Sequence, residues 1–374
     1  MKILIIAPEL YPVPHRKGTS VETCIYQIAR QWAKQHSVTI VCRKSAKLPA
    51  ITSQRNLTIR RVSGRTKKTY LLNVIRTVKN GRYDCIQIDN RPEFIPHIKK
   101  AFPRQPVSLF LHSLTYVTPP KTTRSRVNKQ LFAADVIIAN SRSLRSQLSM
   151  RYPSHKRKIK VVHLGANPAQ FRPPTAAERI YARNLFKAKG TFAVVYIGRI
   201  IPSKGIALLI RAAEQAKKSV PALRLYLIGD GKNNYVRRIK RLARRSKVPV
   251  TFIEGISVNH IHRAYWMADC IVYPSQSHEA FGLVIAEALA SGVPAIASKN
   301  GGMREIIRHN QNGLLISNYH RPNSFARAFI QIARNPLLAK KLGKNGRKTC
   351  LRTFHWGNTS AKLIKIYQKL QSNH

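Results

Sequence analysis

Short apolar, β-branched runs alternate with helical patterns twice along this chain. The first series runs from KILIIA (2–7) through SVTIVC (37–42), 57–62, 84–88, VSLFL (107–111) and DVIIA (135–139) to 159–162, with helical patterns over 20–35, 69–79, 124–132 and 142–150. The second opens at TFAVVYIGR (191–199) and continues with strands at 223–228, 250–253, 270–273 and 294–298, separated by helices after Lys204 and over 232–246, 257–267 and 282–290. Alternation of this kind favours mostly parallel sheets covered by helices on both faces, because each helical crossover returns the chain to the same strand direction. Between the series, Pro168, Pro173 and Pro174 and a polar, irregular stretch over 163–190 break the rhythm, and the domain junction is placed there. The expected fold class is α/β, with two doubly wound domains.

Composition narrows the possibilities. The 374 residues, 44% of them apolar, suffice for two ordinary cores. No stretch reaches the roughly 20 apolar residues that cross a bilayer, and the run after Lys2 is too short for a secretory leader. Cys24, Cys42, Cys85, Cys270 and Cys350 lie far apart, three of them in strand-like runs, which suits buried small hydrophobes in a reducing, cytoplasmic setting. Lys and Arg total 67 against 14 Asp and Glu, a formal charge of +53. An anionic partner is therefore expected: nucleotide, membrane, polymer or nucleic acid. The acids divide evenly, seven in residues 1–190 and seven after, so no tail carries the excess. Basic density peaks at Arg142–Lys160 and Lys232–Lys247; in the latter Tyr235, Val236, Ile239, Leu242 and Ala243 recur at helical spacing among the cations. That helix reads either as a solvated outer face or as a surface for peripheral contact with an anionic membrane or polyanion. Aromatic residues are not interleaved with the basic patches as base-stacking platforms would be, so no specific nucleic acid partner is expected.

Within SHEAFGLVIAEALASGVPAIAS (277–298) two of the scarce carboxylates, Glu279 and Glu287, flank an apolar run. Glu279 follows the strand CIVYPS and precedes a helix, so it can stand at a strand end beside the helix-start amides of Phe281, Gly282 and Leu283, an acceptor for hydroxyls next to donors for an anion. Glu287, inside that helix among apolar neighbours, needs a donor set such as a pair of ribose hydroxyls. The plainer alternative makes Glu279 a helix-start carboxylate and sets Glu287 on a wet face. The strand AVVYIG ends at Gly198-Arg199, and Lys204-Gly205 opens the next helix, so Arg199 and Lys204 can converge on a diphosphate.

Gly229, and Ile253 with Gly255, end two further strands, where glycine either lets backbone approach a base or phosphate or makes an ordinary turn. Gly301-Gly302 offers the same two readings. In the first half Gly18 precedes a helix start and could close on a phosphoryl or sugar group, while Ser20 serves equally as a plain cap. His112 ends the strand VSLFL, placed either to donate to a sugar hydroxyl or to serve structurally. Asp89, Asn90, Arg91 and Glu93 after CIQI are further candidates for polar contacts. No Asp-x-Asp pair or His/Cys cluster occurs, so no protein-held metal is expected, and Arg199, Lys204 and helix ends would have to neutralise a diphosphate.

These residues carry a family resemblance. The segment Glu279 to Glu287, the following GGMREII and the GR…K segment at Arg199 and Lys204 resemble the large family 4 of retaining, nucleotide-sugar-dependent glycosyltransferases, and the likeness covers nearly the whole chain. It implies the GT-B fold, two doubly wound Rossmann-like domains facing a central cleft. The acceptor-side domain would span 1–170, a linker 171–190 and the donor-side domain 191–356, with the final helix 357–371 returning to complete the first domain. The resemblance further implies that Glu279 faces the donor sugar, Glu287 binds the ribose, Arg199 and Lys204 hold the diphosphate, Gly18 lies in the first glycine-rich loop and His112 stands near the donor sugar. The donor would be a nucleoside diphosphate sugar, with no further cofactor. APELYPVPHRKGTSVE and DNRPEF also resemble a bacterial subgroup associated with the spore coat. Three departures stand out: Lys17 where a glycine is common, Leu164-Gly165-Ala166-Asn167 in the turn after the first domain, and Ser113 rather than an acid after His112.

The implied reaction moves a hexosyl group to an acceptor hydroxyl with retention, in bacterial surface or spore-coat glycoconjugate synthesis, at the inner membrane face or the coat. The acceptor would be a glycan, a lipid-linked sugar or a small molecule. Two rivals remain open from the sequence: a nucleotide-sugar epimerase of the same fold, and a non-catalytic basic coat or polyanion-binding protein. A retaining hydrolase would need carboxylates about 5–5.5 Å apart across the bond, which a helix-spaced pair does not suit.

Overall fold

The computed structural model describes residues 1–15, 20–231 and 233–372, so Gly18 lies outside the described residues. Contacts divide the chain into two units: Met1–Leu164 together with the chain from Trp356 onward, and Gly165–His355.

The first unit is built on strands β1 (Lys2–Ile6), β2 (Ser37–Arg43), β3 (Ile51–Gln54), β4 (Leu57–Val62), β5 (Cys85–Asp89), β6 (Val107–Leu111), β7 (Val136–Ala139) and β8 (Ile159–Val161), in the order β3-β4-β2-β1-β5-β6-β7-β8. Neighbours pair in parallel except β3 with β4. Central strands such as β1, β5 and β6 are buried almost throughout because helices cover both faces. These helices are α1 (Ser20–Trp32), α2 (Lys67–Val78), α3 (Ile95–Ala101), α4 (Arg124–Phe132) and α5 (Arg142–Arg151). Side-chain caps from Thr66, Thr123 and Ser141 satisfy free amides at the starts of α2, α4 and α5. β3, sequence ITSQ, is exposed along its whole length, so neither apolar run nor alternation announced it.

The second unit contains α6 (Ala176–Leu185), β9 (Phe192–Ile197), α7 (Ile206–Lys217), β10 (Leu223–Ile228), α8 (Asn233–Arg245), β11 (Val250–Ile253), α9 (His262–Met267), β12 (Cys270–Tyr273), α10 (Leu283–Ala290), β13 (Ala295–Ser298), α11 (Met303–Ile306), β14 (Leu314–Ile316), α12 (Pro322–Arg334) and α13 (Pro336–Thr353). Its six strands are all parallel, in the order β11-β10-β9-β12-β13-β14. The stretch expected to be irregular holds α6. Thr175 and Glu178 form a reciprocal cap at its start, and Arg179 and Arg183 reach Asp269 at 2.7 and 3.1 Å. The helix docks mainly through ion pairs, with only Ala182 buried among its own residues, so it shows no apolar stripe in the sequence.

The last helix, α14 (Trp356–Gln371), lies on α1 in the first unit. Trp32 Nε1 donates to the Ser360 carbonyl at 3.2 Å, and the Trp32 and Tyr367 rings meet edge to face. All five cysteines are buried. None of the described helices is long and apolar enough to cross a membrane.

In each sheet the strand order reverses direction beside the first strand, between β1 and β5 in one and between β9 and β12 in the other. At each point the crossovers on its two sides run over opposite faces of that sheet, opening a crevice at the carboxyl ends of its strands, where ligands of doubly wound sheets bind.

Candidate active site

The crevice of the second unit gathers the residues singled out after β9 and β12. Lys204, 9% exposed, sits in the turn between β9 and α7, and its ammonium pairs directly with Glu279 Oε1. The same ammonium donates to Tyr273 Oη at 2.7 Å and lies 4.9 Å from that ring's centroid, and Ser275 Oγ donates to Glu279 Oε1 at 2.7 Å. Burial and the neighbouring Glu279 charge hold the Tyr273 hydroxyl protonated well above its usual range. Sequence reasoning gave Lys204 and Glu279 separate tasks; here each is the other's counterion, across 75 residues of chain. Tyr273 and Ser275 were missed, since a tyrosine in an apolar strand and a serine in a turn give no signal.

Arg199 follows β9 and is exposed. No side-chain hydrogen bond or ion pair engages it among the described residues, although its charge reaches the Tyr196 and Tyr273 hydroxyls. A free guanidinium beside a neutralised Lys–Glu pair is an open place for an anion.

Glycine geometry separates turn-makers from open positions. A side chain on Gly301 would come within 2.0 Å of the Glu279 carbonyl, and one on Gly302 within 2.5 Å of the Ala280 carbonyl. The Gly302 amide also donates to the Glu279 carbonyl at 2.8 Å, so this glycine pair clamps the Glu279 loop. Gly229 packs equally hard on the backbone of Gly198, at 2.2 Å, where the loops after β9 and β10 meet. Ile253, at the end of β11, accepts from the Gly229 amide at 2.9 Å. Gly255 differs: with φ +75° it is left-handed, yet a Cβ there would meet nothing within 4 Å. Its surroundings leave room for an approaching group.

Gly282, with φ 111°, caps the start of α10 and Leu283 is its first residue, while the Phe281 side chain is buried and meets Phe354 edge to face. Glu287, one and a half turns into α10, accepts from Tyr265 Oη at 2.6 Å. Burial raises its carboxyl to about 7, and the tyrosine hydrogen bond opposes part of that rise. Tyr265, missed from sequence, is itself held protonated by burial and by Glu287.

The strand ends of the first unit carry a second polar cluster. Glu9, in the loop after β1, binds Arg91, after β5, through two bonds of 2.6 and 3.1 Å across the switch point, both side chains being buried. Glu9 was not singled out, although an acid at a strand end in so basic a chain was a usable signal. His112 lies after β6; its Nε2 meets Asp89 Oδ1 at 2.7 Å and its amide donates to Asn90 Oδ1 at 2.8 Å. The acid expected next to this histidine in sequence comes instead from the end of β5. Asp89 is fully buried and also accepts from Gln87 Nε2 at 2.8 Å, whose carbonyl accepts from Tyr367 Oη of α14 at 2.6 Å. Among the described residues no group of three or more His, Cys, Asp or Glu could hold a metal ion.

Comparison with known proteins matches both halves of the chain. Residues 21–170 match the family described as Glycosyltransferase Family 4, and residues 178–349 the family Glycosyl transferases group 1. Spore coat protein SA of Bacillus subtilis is 27% identical over 379 residues, covering 99% of this chain and 100% of that one. Among solved structures, sucrose-phosphate synthase from Thermosynechococcus elongatus superposes with a TM-score of 0.81 at 22% identity, covering 100% of both chains. Anabaena HepE, solved in complex with UDP and glucose, gives 0.83 at 18% identity, covering 99% of this chain and 100% of that one. With family matches on both units and these folds alike over their whole length, the chain is a glycosyltransferase of the GT-B fold, related to the group 1 and family 4 glycosyltransferases.

Proposed function

We propose that the chain transfers a hexosyl group from a nucleoside diphosphate sugar to an acceptor hydroxyl with retention at the anomeric carbon. The observation that carries this reading is the Lys204–Glu279 pair at the β9/β12 crevice with the unpaired Arg199 on the same loop. A diphosphate entering there draws on Arg199 and Lys204, and the Glu279 carboxylate released from Lys204 accepts from sugar hydroxyls. Glu287 with Tyr265, and the open backbone at Gly255, suit the nucleoside end. As the glycosidic bond lengthens, negative charge grows on the departing phosphate, so donors fixed in advance act most strongly in the transition state. HepE was solved with UDP-glucose, which makes that compound the first donor to test. The full-length likeness to Spore coat protein SA supports a role in bacterial surface or spore-coat glycoconjugate synthesis. His112, backed by Asp89, belongs to the first unit, the acceptor side in this reading; that unit, 1–170 in the sequence reading, takes α14 as its last helix.

The test is mass-spectrometric detection of nucleoside diphosphate release from UDP-glucose and other nucleotide sugars, with and without acceptors. Arg199→Ala should lower release about a hundredfold, with the circular dichroism spectrum unchanged because the side chain is exposed and unpaired. Undiminished release by Arg199→Ala would overturn the diphosphate assignment.

A further inference from the structure

The first unit contains a cavity of about 480 Å³ that none of the residues assigned above explains. Its walls come from α2, from the turn and helix after β5, from the segment after β6 and from α4. The floor is apolar: Leu71, Leu72 and Ile75 on α2, Phe94 and Pro96 after β5, and the ring of Tyr116. Leu72 is 45% exposed, unusual for a large apolar side chain on an amphipathic helix, and it faces this cavity.

The charges around that floor are mostly positive. Lys67, Lys68, Lys121 and Arg126 line the cavity, and the sole carboxylate among its lining residues, Glu93, is taken by Lys67 at 2.8 Å. Among the described residues no carboxylate pairs with Lys68, Lys121 or Arg126, which leaves three cations without a counterion beside an apolar floor. Gln130 of α4 supplies an independent observation. Its side chain lines the cavity and is only 8% exposed, yet no described residue hydrogen-bonds to it. An amide at a cavity wall with no protein partner is available to a ligand or water there.

The cavity also communicates with the strand-end cluster. The Arg91 guanidinium lies 3.9 Å from the centroid of the Tyr116 ring, and the residue before Arg91, Asn90, holds the His112 amide. A ligand lodged against Tyr116 therefore sits next to the end of the sheet where His112 stands.

We propose that this cavity binds an anionic amphiphile, its hydrocarbon chain against Leu71, Leu72, Ile75 and Phe94 and its phosphate among Lys68, Lys121 and Arg126, with Gln130 bonding a polar atom of the ligand. Resting on the glycosyltransferase reading above, the amphiphile is the acceptor or carries it, so the substrate class is a phosphate-linked lipid. Neither half of the cavity explains the other alone: a free phosphate needs no apolar floor, and a neutral lipid needs no cation triad.

The experiment is calorimetric titration of the full-length protein with dodecyl phosphate below its micelle concentration, beside inorganic phosphate and the neutral amphiphile octyl glucoside. Dodecyl phosphate should bind at least about tenfold more tightly than either, as expected if chain burial and charge each add more than about 1.4 kcal/mol. Leu72→Glu and Arg126→Glu, both at exposed positions, should each weaken it about tenfold or more, whereas Arg241→Glu on α8, outside the cavity lining, should not. Binding of inorganic phosphate as tight as that of dodecyl phosphate overturns the lipid assignment in favour of a free anion, and equal loss from Arg241→Glu overturns it in favour of diffuse charge. Donor hydrolysis by the wild-type protein, followed separately, keeps the two readings apart. Hydrolysis without cavity-dependent binding sinks the amphiphile alone, and cavity-dependent binding without hydrolysis sinks the transfer it was meant to serve.

Discussion

Glu287 is a carboxylate whose surroundings oppose its charge, and that gives it a pH signature. Its folded value stands at about 7 against 4.5 for an ordinary glutamate, chiefly through burial. A raised acid stabilises the fold fully below its unfolded value, and that contribution is lost as pH rises through the folded value. Glu287→Gln should therefore unfold like the wild type below about pH 4.5 and be more stable by about 3 kcal/mol at pH 8. Urea denaturation at both pH values measures this; equal stability at pH 8 removes the argument. Donor affinity should fall in the same variant, because a neutral amide accepts two ribose hydroxyls less well than a carboxylate. At Lys204 the expectation is the reverse in kind: Lys204→Met strands the Glu279 carboxylate, only 14% exposed, without its counterion. Both stability and nucleoside diphosphate release should drop, release by about a hundredfold. Glu279, Glu287, Arg199 and Lys204 could be picked out of the sequence because acids and strand-end cations are conspicuous in a chain with 14 acids. Their partners could not. Tyr265 and Tyr273 are apolar-run residues until folding turns their hydroxyls inward, and Asp89 meets His112 only because β5 and β6 lie side by side.

At the scale of elements, the legible parts were those with a regular apolar period, and the hidden ones had other means of attachment. β1 and β6 stand out as short apolar runs, and β4 and α4 because their buried positions follow strand or helix spacing. β3 is an exposed edge held by pairing with β4 and by the Arg61 side chain on Thr52, and α6 is a polar helix held by its arginines on Asp269. Glycines at element ends were ambiguous in the same way, since a turn and a ligand approach need the same freedom. The structure distinguishes them by what a methyl group would strike. Gly301→Ala forces a Cβ onto the Glu279 carbonyl at 2.0 Å and an L-residue into φ +56°. It should cost about 3 kcal/mol and displace the Glu279 loop, lowering release as well. Gly255→Ala meets no protein atom within 4 Å, so it should cost only the left-handed backbone term, about 1 kcal/mol. If a nucleotide approaches that open backbone, its affinity should fall severalfold more than the stability loss explains. Paired thermal melts and nucleotide titrations on the two variants decide this, and an unchanged affinity in Gly255→Ala rejects the approach.

For the whole molecule, the excess of positive charge acts on folding as well as on binding. Glu9, Glu93, Asp135, Glu178, Glu254, Asp269 and Glu279 each pair with Lys or Arg among the described residues, and with 14 acids in the whole sequence most of the 67 cations have no carboxylate to pair with. Like charges spread over both units repel in the folded state more than in an expanded chain. Raising NaCl from about 0.01 M to about 1 M shortens the screening length from about 30 Å to about 3 Å, so Tm should rise steadily over that range. The same salt should weaken binding of dodecyl phosphate, because its head group relies on Lys68, Lys121 and Arg126, while leaving the apolar share in place. Charge that served only one concentrated surface would behave differently: Tm would be nearly flat in salt once that surface was neutralised by a few substitutions. Reversing Arg238 and Arg241 on α8 to glutamate and repeating the salt series separates the cases. A slope that persists in the variant assigns the repulsion to the whole surface, and a slope that vanishes assigns it to that helix.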